Sequence, residues 1–166
     1  CALISLFIFS NRMDKLEIKD LYVDLIKKII YNGFSSGISL DGDSFFYENP
    51  LEIRPQLIEK DVSVKKKTVF PITQRVKLFN CSCCPPNICR FTELLEDYIS
   101  EFNNDTLYIK QYIACDGKTE NLGFKIISDY PNKSKIIIST KWVKRLALRI
   151  PDWCKKYIIE KKKKKA

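Results

Sequence analysis

Four cysteines crowd into the stretch FNCSCCPPNICRF, at positions 81, 83, 84 and 89, in a chain of 166 residues that contains no histidine. An ionised thiol is both a strong nucleophile and a favoured zinc ligand, so this cluster could staple, bind a metal or react. The disulfide reading fits poorly. The chain carries seven cysteines, an odd number, and the adjacent pair Cys83-Cys84 would strain the backbone if bonded to each other. A plain packing role suits Cys89, Cys115 and Cys154, which sit among apolar neighbours. It suits Cys81, Cys83 and Cys84 less well, because they lie in a turn bounded by Pro85 and Pro86. That turn precedes an amphipathic segment, and the unsatisfied N–H groups of a helix start favour anions such as thiolates. The spacing C-x-C-C departs from the usual C-x-x-C half-site. The residues alone therefore leave a thiolate–metal site and a reactive thiol both open, and name no substrate.

The elements that must hold this turn are legible in the pattern around it. Residues 1–12 read as a buried helix. In DKLEIKDLYVDLIKKIIYNG, Leu16, Leu21, Leu25, Ile29 and Ile30 recur at helical spacing, with Asp14 as candidate N-cap and Asn32-Gly33 as a stop. GISLDGDSFFYENP follows, two short β-prone runs around Asp41-Gly42, a hairpin signature closed by Pro50 and Pro55. Residues 56–78 are polar, with Lys65, Lys66 and Lys67 in a row, and are expected to form an exposed excursion. Proline fits the first turn of a helix, so Pro85-Pro86 start a segment that places Ile88, Phe91, Leu94, Leu95, Tyr98 and Ile99 on one face. From Thr106 the period changes to two. TLYIKQYIA, LGFKIIS, SKIIIST and KRLALRI read as antiparallel strands separated by turns such as Asp129-Tyr130-Pro131-Asn132. The expectation is an α+β chain, helical to about residue 102 and β thereafter.

Composition narrows the function classes. With 45% hydrophobic and 12% aromatic residues the chain can bury a core. Its formal charge of +9 is concentrated in residues 155–166, where seven lysines and one glutamate make a solvated, disordered tail. The body has no basic helix with interleaved aromatics, so nucleic acid is not expected as a partner. CALISLFIFS is too short to span a bilayer and lacks the basic start of a signal peptide. No membrane partner is expected, and location tilts slightly toward the cytoplasm. A start at Cys1, inside a helical pattern, suggests a piece of a longer protein.

Several motifs together carry a family resemblance. CSCCPPNICR, with LYVDLIKKIIYNGFSSGISLDGDSFFYENPLE upstream and DTLYIKQYI and LALRIPDWC downstream, resembles glycoside hydrolase family 127, whose characterised members are β-L-arabinofuranosidases. The likeness runs in order over residues 1–154, with 53–78 uninformative. It implies the C-terminal helices of an (α/α)6-barrel catalytic domain over residues 1–102, then the first strands of a β-sandwich over 103–154. It further implies a zinc ion held by one glutamate and three cysteines. By motif the adjacent pair is Cys83 and Cys84, with Cys83 also the nucleophile, and Cys1 resembles the third cysteine. The glutamate ligand and the acid/base glutamate would precede Cys1, as would the family's sugar-binding histidines, so this chain by itself is expected to be inactive.

The implied substrate is a terminal β-L-arabinofuranoside or a related plant-glycan sugar, cleaved with retention of configuration. Tyr47 matches an aromatic residue expected near the sugar, where a phenol can stack and hydrogen-bond. Its neighbour Glu48 should face the other way. Asp41 and Gly42 are expected to form the turn. Cys81 is expected to support the site from outside the ligand set, and Cys89 to pack in the core. Lys27 stands where family sequences often carry an acidic residue, a departure that bears on specificity if it faces the site. Two other readings stay open: a non-catalytic zinc-binding structural module, and a carbohydrate-binding protein that has lost catalysis.

Overall fold

A computed structural model of the chain describes residues 2–17, 19–47, 49, 52, 75–77 and 83–161. The chain divides into two compact units, Cys1–Ile99 and Ser100–Ala166. Cys1, Cys81, Glu48 and the lysine triplet 65–67 lie outside the described residues, as do residues 162–166 of the tail.

The first unit is built from helices. Helix α1 spans Ala2–Leu16 and α2 spans Asp20–Lys28. The expected single helix from Asp14 onward is thus divided, and Asp14, far from capping anything, is fully buried inside α1. The break resets the helical phase, so Leu16 and Leu21 lie exposed while Val23, Ile26, Ile29 and Ile30 turn inward. Nor is α1 buried all round: Phe7, Ser10, Asn11 and Asp14 form its inner stripe, and Phe9 is more than half exposed. Asn32-Gly33 does not stop the second helix. The chain widens there into a π turn, Ile29–Phe34, and then tightens into a 3-10 turn, Ser35–Gly37. Gly33 lets α1 pack closely here: a Cβ would sit 2.7 Å from Leu3 Cδ1, and that side chain would have to shift to admit it. Helix α3 runs from Cys84 to Glu93 and tightens into a 3-10 turn over Leu94–Tyr98. Of the expected apolar face, Phe91, Tyr98 and Ile99 are buried, while Leu94 and, off that face, Cys89 are exposed. Cys89 is therefore not a core residue.

The second unit is all β. Strand β1 (Ser100–Asn103) occupies the stretch expected to end the helix, and it pairs antiparallel with β2 (Thr106–Ile109). Asn104 and Asp105 have φ values of 47° and 64° and form the two-residue turn between them, the left-handed pair that a right-twisted hairpin selects. Strand β2 also pairs with β6 (Arg145–Leu148), and does so in parallel, against the antiparallel expectation. The other sheet has the order β3-β4-β5, from Cys115–Thr119, Leu122–Ser128 and Ile136–Lys141. Strand β4 shows the expected alternation, with Leu122 and Ile126 buried and Lys125 and Ile127 exposed. Cys115 is partly buried, which pushes its thiol up, and Cys154 donates to Lys156 O at 3.4 Å. No helix among the described residues is long and apolar enough to cross a membrane.

Tyr112 ties this unit together by donating to the carbonyl of Arg149 at 2.5 Å. Burial raises its pKa, as it does that of Tyr98 in the first unit. A raised folded-state value favours the neutral phenol. The stability it contributes is whole below the unfolded value of about 10 and is lost as pH climbs through the folded one. Ultraviolet titration should show these two tyrosines ionising late, and Tyr112→Phe and Tyr98→Phe should each remove part of that late phase. An unchanged late phase in both variants would refute the assignment.

Candidate functional site

Cys83 stands immediately before α3, with φ −75° and ψ −27°, and Pro85 lies in the first turn. Both prolines lack an N–H that the helix start would leave unpaired anyway, so the sequence enters the helix here at little cost. Two neighbouring thiols are thereby sent in different directions. The Cys83 side chain is exposed. Cys84 is only 8% exposed and packs against Phe45, with Tyr47, Val76 and Ile88 around it. The sulfurs remain 4.0 Å apart.

Tyr47 reaches this pair from the hairpin region. Asp41 Oδ1 accepts from the Ser39 hydroxyl at 2.5 Å and from the Asp43 N–H at 3.4 Å, and Gly42 takes a φ of 78°. These contacts close the turn as expected, and the Ser39 hydrogen bond lowers the Asp41 pKa. The outgoing strand is then locked on both sides. Phe45 bridges Ile38 and Val76, and the Phe46 N–H donates to Gly37 O at 2.9 Å. Arg75 stacks 4.7 Å above the Phe46 ring and donates to Ser36 O at 2.6 Å. Held this way, the Tyr47 hydroxyl lies 3.8 Å from Cys83 Sγ, accepting from the thiol. Once that sulfur ionises it can only accept, and the phenol becomes the donor.

Tyr47 and Cys84 both line a cavity of about 320 Å³, with Ala2, Ile4, Phe34 and Asn87 among its other walls. Lys27 is half-buried on α2 and is not part of this lining. Arg75 and Asn49 were invisible as site residues in the sequence. Arg75 lies in the polar stretch read as an exposed excursion, and Asn49 in the FFYENP motif, where only Tyr47 and Glu48 were weighed. Their importance comes from tertiary contacts over distances of 39 and 16 residues, which no local spacing reveals.

Two neighbouring sulfurs are the donor type and spacing that a thiolate-bound metal uses. Two sulfurs on one tetrahedral zinc, with Zn–S bonds of about 2.3 Å, lie roughly 3.8 Å apart, close to the 4.0 Å seen here. Among the described residues no group of three or more such donors assembles. The cysteines at positions 1 and 81 fall outside that set.

Comparison with known proteins bears on the whole arrangement. A family model described as the GH127 catalytic domain of β-L-arabinofuranosidases matches residues 1–97. A non-reducing end β-L-arabinofuranosidase from Bifidobacterium longum is 30% identical over 163 residues, 92% of this chain and 24% of that protein. Among solved structures, a GH127 β-L-arabinofuranosidase from Geobacillus stearothermophilus T6 superposes with a TM-score of 0.73 at 33% identity, over 92% of this chain and 25% of the other. A structure described as a glycoside hydrolase gives 0.77 at 30% identity, over 94% and 26%. The chain thus spans about a quarter of the length of the relatives it matches.

Proposed function

Since the chain belongs to glycoside hydrolase family 127, we propose that the full-length protein removes terminal β-L-arabinofuranosyl residues, or related plant-glycan sugars, with retention and with Cys83 as nucleophile. In this reading the first unit supplies the last helices of an (α/α)6-barrel and the second the first strands of a β-sandwich. The observation that carries the proposal is the exposed Cys83 sulfur, set at a helix start between the Tyr47 phenol at 3.8 Å and the Cys84 sulfur at 4.0 Å.

Cys83 and Cys84, with Cys1 by resemblance, would hold a zinc ion, whose charge when bound keeps thiols ionised at neutral pH. The helix start adds a further preference for the Cys83 thiolate. Its sulfur attacks the anomeric carbon while the glycosidic C–O bond breaks and the leaving oxygen takes a proton from a carboxylic acid. The resulting carboxylate then takes a proton from water as the water oxygen displaces sulfur, regenerating the thiolate. Two displacements at one carbon restore the original configuration. Tyr47 holds the sulfur and offers its hydroxyl to the sugar, beside the cavity that it lines.

The test is proton NMR of the first-formed sugar during hydrolysis of an aryl β-L-arabinofuranoside by the full-length protein, beside a panel of other aryl glycosides. Early appearance of the β anomer is expected. Early α anomer would exclude double displacement. Bound zinc with no turnover of any arabinofuranoside would favour the structural zinc module instead.

A further inference from the structure

We infer that Asn49 is a positioning residue that sets the Tyr47 phenol against Cys83, an inference that rests on the proposed role of Cys83. The π turn and the 3-10 turn that follows it break the regular helical ladder, which leaves carbonyls at the helix end to be satisfied from elsewhere. Asn49 meets this need: its amide Nδ2 donates to Gly33 O at 3.1 Å and to the Ser36 hydroxyl at 2.9 Å. An amide nitrogen has two hydrogens, so both are used.

Three residues earlier, the Phe46 N–H is bonded to Gly37 O at 2.9 Å. Tyr47 is therefore carried on a short span fastened at both ends to one helical turn, by Phe46 before it and Asn49 after it. Arg75 reinforces the first fastening through the Phe46 ring and Ser36 O. The second fastening is made by Asn49. Its amide makes its bonds to the helix end rather than to Cys83, so it acts through the tyrosine. A reacting group displaced by about 1 Å loses on the order of a hundredfold in rate, so a fastening of this kind is sufficient to matter.

A double-mutant cycle in the full-length protein tests this. Asn49→Ala and Tyr47→Phe are each expected to lower kcat/KM by about tenfold or more, and the double variant to be no worse than the poorer single one. Ser36→Ala, which removes one of the two Asn49 partners and leaves Asn49 in place, should give a smaller loss that is likewise absorbed by Tyr47→Phe. Thermal midpoints of all variants are measured alongside, and rates are taken well below them. Losses that multiply in the double variant would overturn the inference, as would an Asn49→Ala protein with normal turnover beside an impaired Tyr47→Phe. If Asn49→Ala fails to fold, the Ser36→Ala and Tyr47→Phe cycle decides by the same criterion. Cys83→Ser serves as the separate check: its inactivity keeps the underlying reading whatever the cycle shows, and its activity would remove that reading and this inference with it.

Discussion

Cys83→Ala in the full-length protein should abolish turnover of β-L-arabinofuranosides, with kcat falling on the order of 10⁴-fold or more, the scale seen when a covalent nucleophile is removed. The expectation follows from where the sulfur is. Cys83 is exposed at the start of α3, with its sulfur 3.8 Å from the Tyr47 hydroxyl. Cys83→Ser should be nearly as poor, because a hydroxyl in the same place is not ionised at neutral pH and retains only a weak nucleophile. Cys89→Ala, exposed on the outer part of the same helix, should leave kcat within about twofold, as surface changes away from a site usually do. Trapping adds a direct readout. Mass spectrometry of the wild-type protein quenched during turnover should show one added pentosyl group on the intact chain and, after digestion, place it on the peptide holding residue 83. If Cys83→Ala keeps more than about a tenth of the wild-type kcat, the nucleophile lies elsewhere.

The thiol turn shows how far sequence could go and where it stopped. Two prolines after the cysteines fixed the start of α3, because proline's locked φ and missing N–H leave few other places for it. LGFKIIS could be read as a strand for an equally local reason, since side chains alternate faces along a pleat and β4 buries Leu122 and Ile126 while exposing Lys125 and Ile127. What local pattern cannot supply is the outcome of competition between segments. The apolar residues from Leu16 to Ile30 fit one continuous helix in sequence, yet packing divides them at Glu17–Lys19 and buries Asp14 rather than using it as a cap. Asn104-Asp105 looks equally like a helix break or a hairpin turn, and only pairing with β2 decides for the hairpin. The parallel partnership of β2 with β6 joins residues about forty apart and has no sequence signature. In the site, the resemblance ranked Cys83 and Cys84 by motif. The structure adds the physical difference between them, one sulfur exposed and the other packed under Phe45.

Phe7→Ala should be the most damaging single truncation in the first unit, costing about 3–5 kcal/mol, the range for a buried phenylalanine that leaves a cavity behind. Phe7 has no exposed surface. Its ring meets Phe91 edge-on at 4.6 Å and Tyr98 at 4.2 Å, and Phe91 in turn lies 4.1 Å from Phe34. One ring from α1 therefore holds together the helix that starts at Cys84 and the π turn that ends at Phe34. Edge-to-face pairs add roughly 0.5–1.5 kcal/mol each beyond area burial, so the loss should exceed that of an aliphatic truncation at a comparably buried position. Marginal stability makes the effect large, because a domain's whole margin is about 5–15 kcal/mol. Phe34 and Cys84 both line the cavity beside Tyr47, so loosening this cluster should also reach the site. The expected result in the full-length protein is a lower denaturant midpoint with unchanged slope. Turnover at low temperature should fall, and Phe7→Leu should recover part of both losses by refilling the space. A midpoint shift worth less than about 1 kcal/mol, no more than a surface substitution gives, would show that α1 is held to α3 by something other than this ring.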